Sequence, residues 1–213
     1  QRHLESLSRP QSVNIGCPMQ ISKPLTLASK SAVRAEVLKG AGLSFSIAPS
    51  GVDEDALKQT HAGDPPGLAV ALAEAKAKAV SAEGLVIGAD QLLQCDGQLF
   101  DKPADMQEAR RNLQFFRGKT HYLIGGVVLV ENGETIWRHD QHVALSVRDF
   151  SDDFLDAYLE AAGDKVLASV GCYQLEGLGS HLFDAIDGDY FATLGLPLLP
   201  LLAALRVHGG LVG

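Results

Sequence analysis

A chain of 213 residues, 46% hydrophobic and 21% charged, is long enough to bury one substantial core and too apolar to read as disordered. Its formal net charge of −8, with no run of Lys or Arg, argues against a sequence-independent nucleic-acid binder working through a basic face. A small phosphorylated ligand stays open, because it asks only for a few converging cations and a metal ion. Cys17, Cys95 and Cys172 are odd in number and far apart, and neither CxxC nor HExxH occurs, so the expectation is reduced thiols in a cytoplasmic protein with neither disulfide framework nor zinc site. The longest apolar stretch, 194–205, is interrupted by Pro197 and Pro200 and is too short to span a bilayer.

Residues 1–20 are polar, contain Pro10 and Pro18 and lack a signal peptide's apolar core, so they are expected to be a leader or extension outside the fold, with one domain over 21–213. From there apolar runs alternate with helical patterns, the mark of an α/β fold. A strand is expected over 25–28, a helix over 31–41 with Val33, Val37, Leu38 and Ala41 near one face, and a strand over 44–48. A helix over 66–82 carries a stripe of Leu68, Leu72, Ala75 and Ala79, and a buried strand over 85–89 follows. Asp96-Gly97 turns a hairpin between 92–95 and 98–100, and Asp105 caps a helix over 105–116 with Glu108 three residues on. Strands over 120–131 and 135–147 meet at Asn132-Gly133. Ser151 caps a helix over 151–162, a Gly-rich segment covers 171–195, and a last helix covers 197–207.

Three groups of residues carry chemistry. In Leu27-Ala-Ser-Lys-Ser-Ala-Val-Arg34 a strand hands over to a helix N-terminus, whose free N–H groups with Ser29 and Ser31 suit an anion; Arg34, in the first turn, opposes the helix dipole and is best tolerated with an anion between them. Asp90 ends the apolar run of a strand, the edge at which open α/β sheets place ligands, and can hold a divalent metal, accept a proton from water, or both. Glu54, Lys76 and Lys102 are unremarkable singly but together fit a metal–triphosphate site. Two other patterns fail. Gly118-Lys119-Thr120 lacks the earlier glycine of a P-loop, since Leu113 stands there, and runs helix to strand. His139-Asp-Gln-His142 lies in an expected strand beside charged neighbours and reads as a solvated face.

Taken in order, 27–34, Gly51-Val-Asp-Glu54, Leu72-Ala-Glu-Ala-Lys-Ala77, Ile87-Gly-Ala-Asp-Gln91, Lys102-Pro103, Glu176-Gly177-Leu-Gly179 and Gly188-Asp-Tyr190 through Gly195-Leu-Pro197 resemble the Maf family of nucleoside triphosphate pyrophosphatases. The resemblance implies a mixed sheet flanked by helices, two lobes around a nucleotide cleft, and a homodimer. It implies hydrolysis of the α–β bond of a nucleoside triphosphate with Mg²⁺ or Mn²⁺. By position it makes Asp90 the catalytic carboxylate, with Glu54, Lys76 and Lys102 beside it, Asp90 and Glu54 on the metal, and Arg34 on phosphate, where the residues themselves already suggest Ser29 and Ser31. Asp90-Gln91 and Glu176-Gly177 resemble the 7-methyl-GTP branch, and Val33 stands where that branch has an aromatic; a carboxylate at Glu176 can accept from guanine N1–H and N2–H, which pyrimidines cannot offer in that arrangement. The rival readings are a nucleotide-binding regulator of division that needs no turnover, and an inosine-triphosphate pyrophosphatase.

Overall fold

The computed structural model describes residues 21–212, so the leader expected at 1–20 lies outside the described residues. The first half of the chain forms β1 (Leu25–Leu27), α1 (Ala32–Gly40), β2 (Ser46–Ile47), α2 (Glu54–Thr60), α3 (Pro65–Lys78) and β3 (Leu85–Cys95). The second half forms β4 (Gln98–Phe100), α4 (Met106–Phe116), β5 (Thr120–Glu131), β6 (Glu134–Val147), α5 (Asp152–Ala162), β7 (Phe183–Asp187), α6 (Tyr190–Thr193) and α7 (Leu198–Val207). This is the α/β fold expected, with one mixed sheet in the order β2-β1-β3-β5-β6-β7 and β4 added on β3.

Local chemistry sets the framework. Asp96-Gly97 and Asn132-Gly133 both take two successive positive φ angles, 50° and 77° in one and 53° and 81° in the other, as two-residue hairpin turns require. Asp105 Oδ1 accepts from the Glu108 amide at 2.7 Å to start α4, and Ser151 Oγ accepts from the Phe154 amide at 3.1 Å to start α5. The long β5–β6 hairpin carries two lobes. Beside its turn end, Leu27, Leu38, Ile87, Leu129, Leu196, Leu201 and Leu205 form one core under α1 and α7. Toward its far end, Leu93, Leu113, Phe116, Leu145, Leu155 and Leu182 form another with α4 and α5. No helix among the described residues is long and apolar enough to cross a membrane.

Helix α3 covers the opposite face of the sheet, and its buried face is not the expected one. Leu68 and Leu72 are buried as expected, but Ala69, Ala73 and Ala77 are buried with them rather than Ala75 and Ala79. The strands beneath supply the reason. A Cβ on Gly88 would sit 2.1 Å from the Ala73 carbonyl oxygen, and one on Gly126 would sit 2.5 Å from the Ala69 carbonyl and the Val70 nitrogen. The helix backbone therefore rests on glycine, with alanines as its contact row.

Three further elements differ from the expectation. β3 runs unbroken through Asp90, which lies within the strand rather than at its end, because β5 pairs with it from Leu85 to Gln94. Helix α2 buries none of its residues and so has no apolar stripe to read. The segment expected only to be Gly-rich holds β7, four of whose five residues are exposed.

Gly126→Ala is expected to cost about 1–3 kcal/mol of stability, as overpacking does, because helix and strand backbones must separate. Gly40→Ala, where a new Cβ meets open space, is expected to be neutral or slightly stabilising. Urea unfolding of both variants checks this; equal midpoints would contradict the packing account.

Candidate active site

Strand β3 is paired along one edge by β5, but along the other its partners change. β1 runs parallel to Leu85–Ile87, and β4 runs antiparallel to Leu93–Cys95. Between them, residues 88–92 have no strand neighbour on that edge, and the sheet opens into a cleft of about 780 Å³ between the lobes. That volume suits a nucleotide. Asp90 lies in the middle of the gap.

Side chains on a strand alternate, so Gly88, Asp90 and Leu92 share the face toward α3. Because α3 rests on Gly88, Lys76, one turn on from the contact with Ala73, reaches Asp90 Oδ1 and pairs with Glu54 Oε1 at 2.8 Å. Asp90 is buried, and Glu54, at the first position of α2, is half-buried. Burial pulls the Lys76 ammonium down, but Asp90 and then Glu54 outweigh it and leave its pKa above the ordinary lysine value. Two carboxylates and an ammonium from three elements thus meet at one point on the cleft floor.

Arg34 closes the other side. Its Nε donates to the Gly195 carbonyl at 2.9 Å, and its Nη1 donates to Ser29 Oγ at 3.1 Å and to the Ala89 carbonyl at 2.9 Å. The last bond satisfies an acceptor on the unpaired edge of β3. Burial lowers the guanidinium pKa from its ordinary value and nearby Asp90 opposes this; an arginine stays protonated under either influence. Ser31 Oγ caps α1 by accepting from the Arg34 amide at 3.4 Å, and Ser29 Oγ accepts from the Ser31 amide at 3.2 Å.

The remaining expected residues also line the cleft. Lys102 is exposed on its rim and belongs to no ion pair among the described residues. Glu176 is an exposed member of the lining, and Val33 lies half-buried at the start of α1. Gln91 points away from Asp90 and donates from Nε2 to the Ala192 carbonyl at 2.9 Å, which ties β3 to α6. The two rejected patterns lie elsewhere: Lys119 pairs with Asp96, and His139 stacks on Trp137.

Two features of the cleft had no sequence signal. Lys58 on α2 donates to both Asp101 oxygens at 3.0 and 3.2 Å, which joins α2 to the segment that carries Lys102. The hydrogen bond to Asp101 raises the Lys58 pKa, so a further cation faces the cleft. Tyr173 forms part of the wall near Glu176, and its hydroxyl shares a 2.8 Å hydrogen bond with His121 Nε2. Burial holds His121 down at about 4, so the ring is neutral near pH 7 and acts as a fixed brace.

Comparison with known proteins gives consistent findings. A family model described as Maf-like protein matches residues 24–208. A Paramagnetospirillum magneticum protein named nucleoside triphosphate pyrophosphatase is 50% identical over 192 residues, covering 87% of this chain and 99% of that protein. A Caulobacter vibrioides protein of the same name is 51% identical over 193 residues, covering 88% and 97%. A Brucella suis protein named 7-methyl-GTP pyrophosphatase is 49% identical over 188 residues, covering 85% and 94%.

The shared ammonium makes a stability prediction. Lys76→Met leaves the Asp90 and Glu54 carboxylates without the ammonium they share and is expected to cost about 1–3 kcal/mol, the penalty for a buried polar group stripped of its partner. Asp90→Asn leaves Lys76 paired with Glu54 and is expected to cost less. Thermal unfolding of the two variants decides it; a more stable Lys76→Met would contradict the arrangement.

Proposed function

The chain belongs to the Maf-like protein family, and from that premise we propose that it hydrolyses the α–β phosphoanhydride of a nucleoside triphosphate, giving a nucleoside monophosphate and diphosphate. The observation that carries this reading is the meeting of Asp90, Glu54 and Lys76 on the floor of a cleft that Arg34, Lys58 and Lys102 also line.

Water must attack the α-phosphorus in line while pyrophosphate departs on the far side. The site therefore has to hold a base near the water, neutralise the phosphate oxygens and steady the leaving group. Asp90 is the base. It stands on a rigid strand paired to β5, its carboxylate is fixed by Lys76, and it takes the proton that the water loses. Lys76 compensates the charge of the acids and, with Arg34, binds the α-phosphate. Lys102 and Lys58 take the pyrophosphate end, Lys58 by exchanging its half-exposed pair with Asp101 for phosphate.

The donor set fits Mg²⁺ or Mn²⁺. No group of three or more His, Cys, Asp or Glu gathers among the described residues, which is unlike a zinc site. Two carboxylates, Asp90 and Glu54, converge on one ammonium, and Mg²⁺ is held by one or two carboxylates with substrate phosphates. When bound by Asp90 and Glu54, the ion supplies charge neutralisation at the phosphate oxygens. For the base, Glu176 can accept from guanine N1–H and N2–H, a pair of donors that pyrimidines do not present together. That favours a guanine nucleotide, with 7-methyl-GTP, the substrate in the names of two relatives, as the first candidate. We place the reaction in the cytoplasm and in a homodimer.

Asp90→Asn is expected to lower the rate of pyrophosphate release about 10²–10⁴-fold, the usual contribution of a general base, with the fold intact by circular dichroism. Removing divalent cations with EDTA is expected to stop the wild-type enzyme. Wild-type turnover by Asp90→Asn would overturn the role given to this carboxylate, and full activity in EDTA would overturn the metal.

A further inference from the structure

A buried titratable group, His121 on β5, takes no part in the chemistry above. It lies outside the cleft lining, among the rings of Phe116, Tyr173 and Phe183. Its Nε2 shares the hydrogen bond with the Tyr173 hydroxyl, and its Nδ1 has no partner among the described residues. An apolar side chain would fill such a cluster without leaving a buried polar atom idle, so stability is not what this histidine supplies. What the bond supplies is direction.

Tyr173 belongs to the segment 168–176, which forms one wall of the cleft and ends there with Gln174, Leu175 and Glu176. The backbone just before the tyrosine is strained. Cys172 has a φ of 61°, the one positive φ away from a hairpin turn, glycines aside, among the described residues. Such a conformation persists where its surroundings over-determine it. The Cys172 amide donates to the Ser169 carbonyl at 3.2 Å, and the Tyr158 hydroxyl donates to the Cys172 carbonyl at 3.0 Å. Gly171 and Gly179 leave room for Tyr173, since a Cβ on either would clash with its side chain. The turn sends the Tyr173 ring inward to His121 and returns the chain to the cleft.

We propose that His121 is a positioning residue for nucleotide binding: by its bond to Tyr173 it fixes the wall at 168–176, against which the nucleoside half of the substrate lies, in a set place relative to Asp90. The inference rests on the hydrolase reading above and adds to it a residue that the substrate never touches. The lining residues of this wall include no Lys or Arg, and their one charge is the acid Glu176, so the wall suits the nucleoside rather than the phosphates. Strand β5 joins it to the catalytic strand, because the residue after His121, Tyr122, pairs with Gln94 of β3, and Gly126 pairs with Asp90. Alternation along β5 puts Leu123, itself in the cleft lining, on the same face as His121. The wall and the carboxylate are thus held on one frame.

The test measures KM and kcat for GTP, and the inhibition constant of inorganic tripolyphosphate, in the wild type, Tyr173→Phe, His121→Phe and the double variant. Each single variant is expected to raise KM for GTP about 2- to 12-fold, the range of one hydrogen bond, while the tripolyphosphate constant stays put. The double variant is expected to raise KM no further, because both changes remove the same bond. His121→Gln, whose amide can still meet the Tyr173 hydroxyl, is expected to restore the wild-type KM, and with Tyr173→Phe it carries the comparison should His121→Phe fail to fold. An unchanged KM in the single variants overturns the proposal, as does a tripolyphosphate constant that moves in step with KM. So does a double variant in which the two effects multiply. A lower kcat at unchanged KM would report only lost folded enzyme and would likewise overturn it. A wild type that releases no pyrophosphate would overturn the hydrolase reading alone; the Kd for GTP, by calorimetry in EDTA, then takes the place of KM in the same comparisons.

Discussion

Helix α3 lies against the sheet at a separation that only glycine beneath it permits, and the candidate active site depends on that contact. Gly88 and Gly126, on adjacent strands, receive the backbone at Ala73 and Ala69. Any larger residue at either place would lift the helix and carry Lys76 away from Asp90. The contact contributes little apolar area per residue, because its members are alanine and glycine. What it contributes is position: a lysine on a helix and an aspartate on a strand are brought together by backbone packing rather than by long, adjustable side chains.

A second constraint follows from how β3 is paired. The strand has a full partner on one side and two partial ones on the other, and the space between the partial ones is the cleft floor. An unpaired stretch within a sheet leaves backbone groups to satisfy. Arg34 meets one of them at the Ala89 carbonyl, and by the same set of bonds its guanidinium is fixed between Ser29 and Gly195. The cation is thus placed by the need of the sheet, and its charge then faces Asp90 and whatever anion enters. Open sheets commonly bind ligands where their strand partners diverge, and here the divergence occurs along a single strand.

The framework was legible in the sequence where physical signals are local. Turn dipeptides, helix caps and the alternation of apolar runs gave the hairpins, α4, α5 and the class of the fold, because each depends on neighbours along the chain. Asp90, Glu54, Lys76, Arg34, Ser29, Ser31 and Lys102 were singled out and do line one cleft. What was not legible depends on contacts between distant segments. The rotation of α3 toward Ala69, Ala73 and Ala77 is decided by glycines on other elements, so its own periodicity misleads. Lys58 and Asp101 are 43 residues apart, and His121 and Tyr173 are 52 apart; neither pair has a spacing rule. Helix α2 and strand β7 are too exposed to have an apolar pattern.

The central claim is that this geometry directs water to the α-phosphorus. It is tested most directly by turnover of a guanine nucleoside triphosphate in ¹⁸O-labelled water, with mass analysis of both products. The account predicts one labelled oxygen in the nucleoside monophosphate and none in the pyrophosphate. Label in the pyrophosphate, or release of orthophosphate with a nucleoside diphosphate, would contradict it, because attack would then fall on a phosphorus that Asp90 is not placed to serve.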